Sequence, residues 1–215
     1  LIIVLLLSLV YSMSLISGEH KNRISNITPY TSSPAPQQMF MQGNNINTCF
    51  RSDGIFNYDF VTFTSKDAGM IWPVTSSSRK TINFTSGIWL GAQINNQVRT
   101  AIAAYSSHFT PGNIPTIGEV TPPSVCNDPR FKIYYAQLTD PTLVNGGTKI
   151  KTAGGRNYTF NFDSWASWPV DLGAPYVEVN GLPGYQPSPE GDRPGIGNSE
   201  AIPDEISFMI YNDYT

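Results

Sequence analysis

From residue 80 onward the chain runs in short stretches of β-branched and aromatic residues alternating with polar ones, broken by Asn, Gly and Pro. Thr81-Ile82-Asn83-Phe84 and Gly87-Ile88-Trp89-Leu90-Gly91-Ala92-Gln93-Ile94 read as two strands. Asn95-Asn96 follows, and because Asn tolerates positive φ it predicts a tight turn. The return strand covers 98–105, where Val98, Thr100, Ile102 and Ala104 alternate with Arg99, Ala101, Ala103 and Tyr105. An inner strand this apolar on both faces suits the middle of a sandwich. Further strands are expected at 39–42, 55–64, 131–138, 148–151, after the Asn145-Gly146-Gly147 turn, and 206–211. No stretch of about 11 residues keeps apolar positions at three-and-four spacing, so long helices are excluded. One short helix is expected near 163–168, with Asp163 as N-cap and Pro169 as its stop. The predicted fold is mainly β: an antiparallel, jelly-roll-like β-sandwich with at most short helices. Its long Pro/Gly-rich loops fall at 111–128 and 171–203.

The amino end follows a different rule. Residues 1–18 read as a signal-peptide h-region: an apolar run of about 16 residues, short of the roughly 20 that span a bilayer, with Ser17 and Gly18 where a signal peptidase would cut. A retained amino-terminal anchor is the alternative. The missing basic n-region ahead of Leu1, and a strand running nearly to Thr215, create the expectation of a longer parent chain. Residues 19–38, with Pro29, Pro34 and Pro36, read as a linker, and 39–215 as the β-sandwich domain.

Composition narrows the function classes. With 13 Lys+Arg against 16 Asp+Glu, a net charge of −3 and no basic cluster, the chain lacks the footprint for nucleic-acid binding. Charged residues make up 13%, about half the ordinary share, which excludes coiled-coil classes. Eleven Tyr, 11 Phe and 4 Trp supply one sizeable core, so a single domain is favoured over two.

Five segments carry a resemblance: NNINTCFRSDGIFNYD at 44–59, GMIWP at 69–73, SGIWLGAQINNQVRTAIAAYSSHFTPG at 86–112, WPVDLGAPYVEVNGLPGYQP at 168–187 and IPDEISFMIYND at 202–213. In order and spacing the chain resembles the amino-terminal region of large exported bacterial proteins of the type IX secretion class, most of them uncharacterised. The resemblance implies a secreted or cell-surface location and delivery by the type IX machinery through a carboxy-terminal sorting domain, which is absent from these 215 residues. An aromatic residue commonly stands in that family where this chain has Cys49.

Candidate chemistry is sparse. The two histidines are His20, in the cleavage region, and His108, after Ser106-Ser107; no G-x-S-x-G elbow accompanies them, so no catalytic residue is assigned. The acids Asp163, Asp171, Glu178, Glu190, Asp192, Glu200, Asp204 and Glu205 sit in or near expected loops rather than as the facing pair that glycoside hydrolysis needs. Trp89, Trp165 and Trp168 are candidate stacking platforms for sugar rings, against the alternative that they fill the core. Cys49 and Cys126 have only each other as disulfide partners within the chain, against two buried free thiols. Glu178, Asn180 and Asp192 form a degraded calcium loop in which Leu182 and Pro183 occupy positions that further ligands would need. The expected function is a non-enzymatic, secreted or cell-surface structural or adhesion module whose partner is a surface protein or glycan. The alternative is a carbohydrate-binding or glycan-processing accessory module.

Overall fold

The structure is a computed structural model and describes residues 37–59, 69–74, 80–116, 119, 121–138, 140–143, 145–153, 156–177, 193–194 and 203–213. In chain order the strands are β1 (Gln38–Gly43), β2 (Ile46–Arg51), β3 (Ile55–Phe56), β4 (Met70–Trp72), β5 (Lys80–Asn83), β6 (Ser86–Gly87), β7 (Trp89–Ile94), β8 (Gln97–Ile102) and β9 (Phe109–Pro111). After the single turn α1 (Pro123–Cys126) come β10 (Tyr134–Gln137), β11 (Asn145–Ala153), β12 (Arg156–Ser164), β13 (Tyr176–Val177), β14 (Arg193–Pro194), β15 (Glu205–Phe208) and β16 (Tyr211–Asp213). The protein is mainly β, its ladders are antiparallel and its helices are short, as the alternation predicts. No helix among the described residues is long and apolar enough to cross a membrane.

β1 turns into β2 through Asn44 and Asn45, both at positive φ, which Asn accepts because its short polar side chain relieves the left-handed clash. β2 is the organising strand of its sheet. One edge carries β1, from Gln38↔Arg51 to Gly43↔Ile46; the other is shared by β4, at Asn47↔Ile71, and β3, at Phe50↔Phe56. β5 and β6 extend these two outward. Gly69 enters β4 at φ +85, and a Cβ there would lie 2.0 Å from the Asn83 carbonyl oxygen, so only glycine fits.

Three cores result. Ile71 and Val74, with Met39, Phe40 and Met41 of β1, pack against Tyr135, Leu143, Tyr158, Phe160 and Phe162. This face-to-face packing of the β2 sheet on β10 and β12 is compatible with a sandwich. β10 pairs with β15 from Tyr134↔Phe208 to Gln137↔Glu205, and its alternation feeds two cores at once. Tyr135 enters the first, while Tyr134 and Ala136 join Leu138, Trp165, Trp168, Ala174 and Ile206 in the second. The third gathers Ile55, Ala101, Ala103 and Phe109.

Several expectations are corrected. The strand expected over 131–138 begins only at Tyr134, because Pro129–Phe131 is a 3-10 turn capped by Asp128, which accepts from the Arg130 amide at 2.9 Å. The helix near 163–168 is a 3-10 turn, Trp165–Ser167, capped by Ser164 rather than Asp163. Asp163 belongs to β12, and its carboxylate accepts from the Tyr135 amide at 2.8 Å and pairs with Lys132. The β7–β8 hairpin forms where expected, with Asn95 and Asn96 both at positive φ. Its place in a sandwich interior is wrong. Every residue of β7 is exposed, because β7 pairs with β8 alone and nothing described covers its faces. Of the expected linker, residues 19–36 lie outside the described residues, whereas Gln37 and Gln38 already belong to the folded unit. The signal-peptide segment 1–18 also lies outside them.

One loop yields a pH prediction. Asp140 caps the 3-10 turn Pro141–Leu143, accepting from the Thr142 amide and hydroxyl and from Lys149 Nζ at 3.0 Å. Hydrogen bonds from Thr142 and then Lys149 hold its carboxyl at about 2, against 3.8 unperturbed. Between these values the unfolded chain binds the extra proton, so the contribution is full above about pH 4 and is lost as pH falls toward 2. A carboxyl NMR titration should place the Asp140 midpoint near 2; an ordinary carboxylate midpoint would mean that the cap does not form.

Candidate functional site

The first core opens on one side into a groove of about 590 Å³, within the usual range for ligand clefts. Its floor and walls come from β1, β12 and the start of β10, including Gln38, Phe40, Tyr135, Tyr158, Thr159 and Asn161. β12 alternates strictly: Tyr158, Phe160 and Phe162 are buried while Asn157, Thr159 and Asn161 face solvent, so one strand supplies both an aromatic floor and an amide-hydroxyl rim. The Phe40 and Tyr158 rings lie 5.0 Å apart at 49°. The rim is pinned by Gln37, whose amide donates to Ser52 Oγ at 2.9 Å and whose side-chain oxygen accepts from the Ile133 amide at 3.0 Å. Gln38 Nε2 donates to Asp59 at 2.9 Å. No lining residue carries a charge, so what the groove offers a ligand is amide, hydroxyl and aromatic groups.

The candidate residues fall elsewhere. Trp165 and Trp168 are 7% and 2% exposed and sit in the second core, so neither presents a face to a sugar. Trp89 is 72% exposed, on the hairpin, with its indole N–H donating to the Ala103 carbonyl at 3.2 Å. The three rings do not share a surface.

Cys49 and Cys126 are both buried and free, the arrangement set against a disulfide between them. Cys49 points inward from β2, and burial, with the Asp59 charge second, pushes its thiol up to about 12, so it stays protonated and unreactive. Cys126 accepts from the Thr110 hydroxyl at 3.3 Å.

Two acids expected in or near loops are strand residues holding ion pairs: Asp163 with the half-exposed Lys132, and Glu205 with the largely buried Lys151. A buried pair, Arg51–Asp53 at 2.7 Å, lies at the end of β2; burial raises the Asp53 carboxyl while Arg51 opposes the rise. His108 donates its amide to the Ile102 carbonyl at 2.9 Å. The Ser107 hydroxyl bonds to the Asp53 carbonyl and accepts from the Phe109 amide, a role in holding the turn.

Glu178, Asn180 and Asp192, the calcium candidates, lie outside the described residues, as does His20. Among the described residues no group of three or more His, Cys, Asp or Glu side chains is placed to hold a metal.

Comparison of the chain with known protein families, with curated proteins and with solved structures finds no match. The groove residues were not singled out in the sequence, although the alternation Asn157-Tyr158-Thr159-Phe160-Asn161-Phe162 that builds it is a plain period-two signal.

Proposed function

We propose that the protein is a non-enzymatic structural or adhesion module of a larger exported protein, displayed outside the cell. The observation that carries this reading is the use made of its chemistry-bearing side chains. Both thiols are buried, Trp165 and Trp168 fill a core, and Asp163 and Glu205 hold strands together, the first through the Tyr135 amide and the second through Lys151. The resemblance to type IX cargo supports the location, with the secretion machinery as its transport partner. The reading is tested in the encoding organism with antibodies against this domain. Intact cells or the medium should be labelled; signal appearing only after lysis would end the proposal.

A carbohydrate-binding accessory role is the second reading, and the groove is the specific observation in its favour: the partly exposed Phe40 ring within a lining of uncharged amide, hydroxyl and aromatic residues. A glycan array separates the two. Binding that Thr159→Arg abolishes, by filling the groove from an exposed rim position, would transfer the function to this site. Absence of binding by the unaltered protein leaves the structural module.

A further inference from the structure

The groove along β1 and β12 is lined by two glutamines that are fastened by opposite ends. The Gln37 side-chain oxygen accepts from the Ile133 amide at 3.0 Å. A backbone amide only donates, so this bond holds the carbonyl end of Gln37 and leaves its NH2 as the end to offer. Gln38 is fastened the other way: its Nε2 donates to Asp59 Oδ1 at 2.9 Å, and a carboxylate oxygen only accepts, so the amide oxygen turns away from Asp59. With two lone pairs, that oxygen can accept from a ligand whatever else it bonds. Neither amide can turn over without losing its bond. The backbone under Gln37 is fixed as well, its amide donating to Ser52 Oγ at 2.9 Å and its carbonyl accepting from the Ser52 amide at 3.0 Å.

The groove thus combines an oriented donor and an oriented acceptor with apolar groups: Ile133, to which Gln37 is bonded, and the partly exposed Met39 and Phe40. A hydroxyl donates or accepts as its surroundings ask and gains little from such orientation. A secondary amide has one fixed acceptor and one fixed donor, and matches it. Among uncharged substituents of a sugar ring, the acetamido group supplies that carbonyl and N–H together with a methyl group for the apolar lining. Charge narrows the class further. A free amino sugar is a cation and a uronic or sialic acid an anion, and no lining residue carries a compensating charge, so desolvating either would go unpaid by the protein.

We infer, resting on the carbohydrate reading of this groove, that its ligand is a glycan of uncharged, N-acetylated amino sugars. Gln37 Nε2 is the donor to acetamido carbonyls, Gln38 Oε1 the acceptor from acetamido N–H groups, and Phe40 the ring against which the apolar face of the sugar and its methyl group pack. A peptide carries the same amide, but its repeating unit brings no flat C–H face for Phe40, which the sugar ring does.

The test uses the purified protein and two tetrasaccharides of identical linkage, one of N-acetylglucosamine and one of glucose, which differ only at the acetamido group. By calorimetry the acetylated chain should bind about tenfold more tightly or better, because a site built to bond a polar group discriminates against the analogue that lacks it. Gln37→Glu keeps an oxygen for the Ile133 amide and replaces the NH2 donor by a second acceptor. It should weaken binding of the acetylated chain by about tenfold while leaving the glucose chain and the melting temperature almost unmoved. In saturation-transfer NMR the acetyl methyl protons should receive the strongest signal. Equal binding of the two tetrasaccharides, a preference that survives Gln37→Glu, equal binding of an N-acetylated tetraglycine amide, or no binding of the acetylated chain would each overturn the inference. The carbohydrate reading stands or falls separately. It survives if array glycans without acetamido groups bind and Thr159→Arg abolishes that binding, and it is lost if no glycan binds.

Discussion

Replacing Trp168 by alanine is expected to lower the unfolding free energy by about 3 to 5 kcal/mol, the usual range for emptying a buried aromatic site. Trp168 sits among Tyr134, Leu138, Trp165, Ala174 and Ile206, with ring centroids 6.4 Å from Tyr134 and 6.3 Å from Phe208. Its Nε1 donates to the Pro175 carbonyl at 2.8 Å, so truncation opens a cavity and removes a buried donor together. β10, β15 and the 3-10 turn Trp165–Ser167 all contribute to the core around this ring. Trp89→Ala, on the exposed hairpin, should change monomer stability by no more than about 0.5 kcal/mol. Urea denaturation reads both, as a shift in midpoint at constant slope. Equal effects at the two positions would mean that Trp168 is not the core residue described.

Glu205→Ala is expected to have a similarly large effect, about 3 to 5 kcal/mol, for an electrostatic reason. The Glu205 side chain is almost wholly buried at the start of β15 and touches two other strands. One oxygen accepts from the Gln42 amide of β1 at 2.9 Å; the other pairs with Lys151 of β11. Lys151 also donates to the Gln42 carbonyl at 2.9 Å and lies 4.9 Å from the centre of the Phe160 ring. Removing the carboxylate leaves a largely buried ammonium without its counter-charge and a backbone donor without its acceptor. The double variant Lys151→Met with Glu205→Leu should recover much of the loss, since apolar groups of similar volume often replace a buried pair at little cost. The double-mutant cycle is the decisive measurement: additive single effects would show that the two residues are not coupled.

Much of the local structure was legible from residue order. The Asn95-Asn96 turn and both its strands follow from alternation and from the tolerance of Asn for positive φ, and both residues adopt it. β12 displays equally clear alternation, yet its Asp163-Ser164 end resembles a helix start. A polar residue before an apolar run looks the same whether it caps a turn or meets an amide on a neighbouring strand. The candidate site was less legible. Trp165 and Trp168 look identical to surface platforms in sequence, since an aromatic residue in a Pro-rich stretch carries no mark of what lies opposite. The groove draws Gln37 and Phe40 to a strand some 120 positions later, and no short-range pattern records that approach.

What residue order determined by itself is therefore a mainly β chain, the position of its hairpin and the shortage of reactive groups. These depend on side-chain periodicity and backbone preference within a few neighbouring residues. Only the tertiary structure decided which apolar faces are covered. It buried Trp168 and left Trp89 in water, kept the two thiols apart, and turned Asp163 and Glu205 from expected loop acids into pins between strands. Burial and ion pairing depend on segments far away in the chain, and the same residue gains or loses a partner according to how those segments pack.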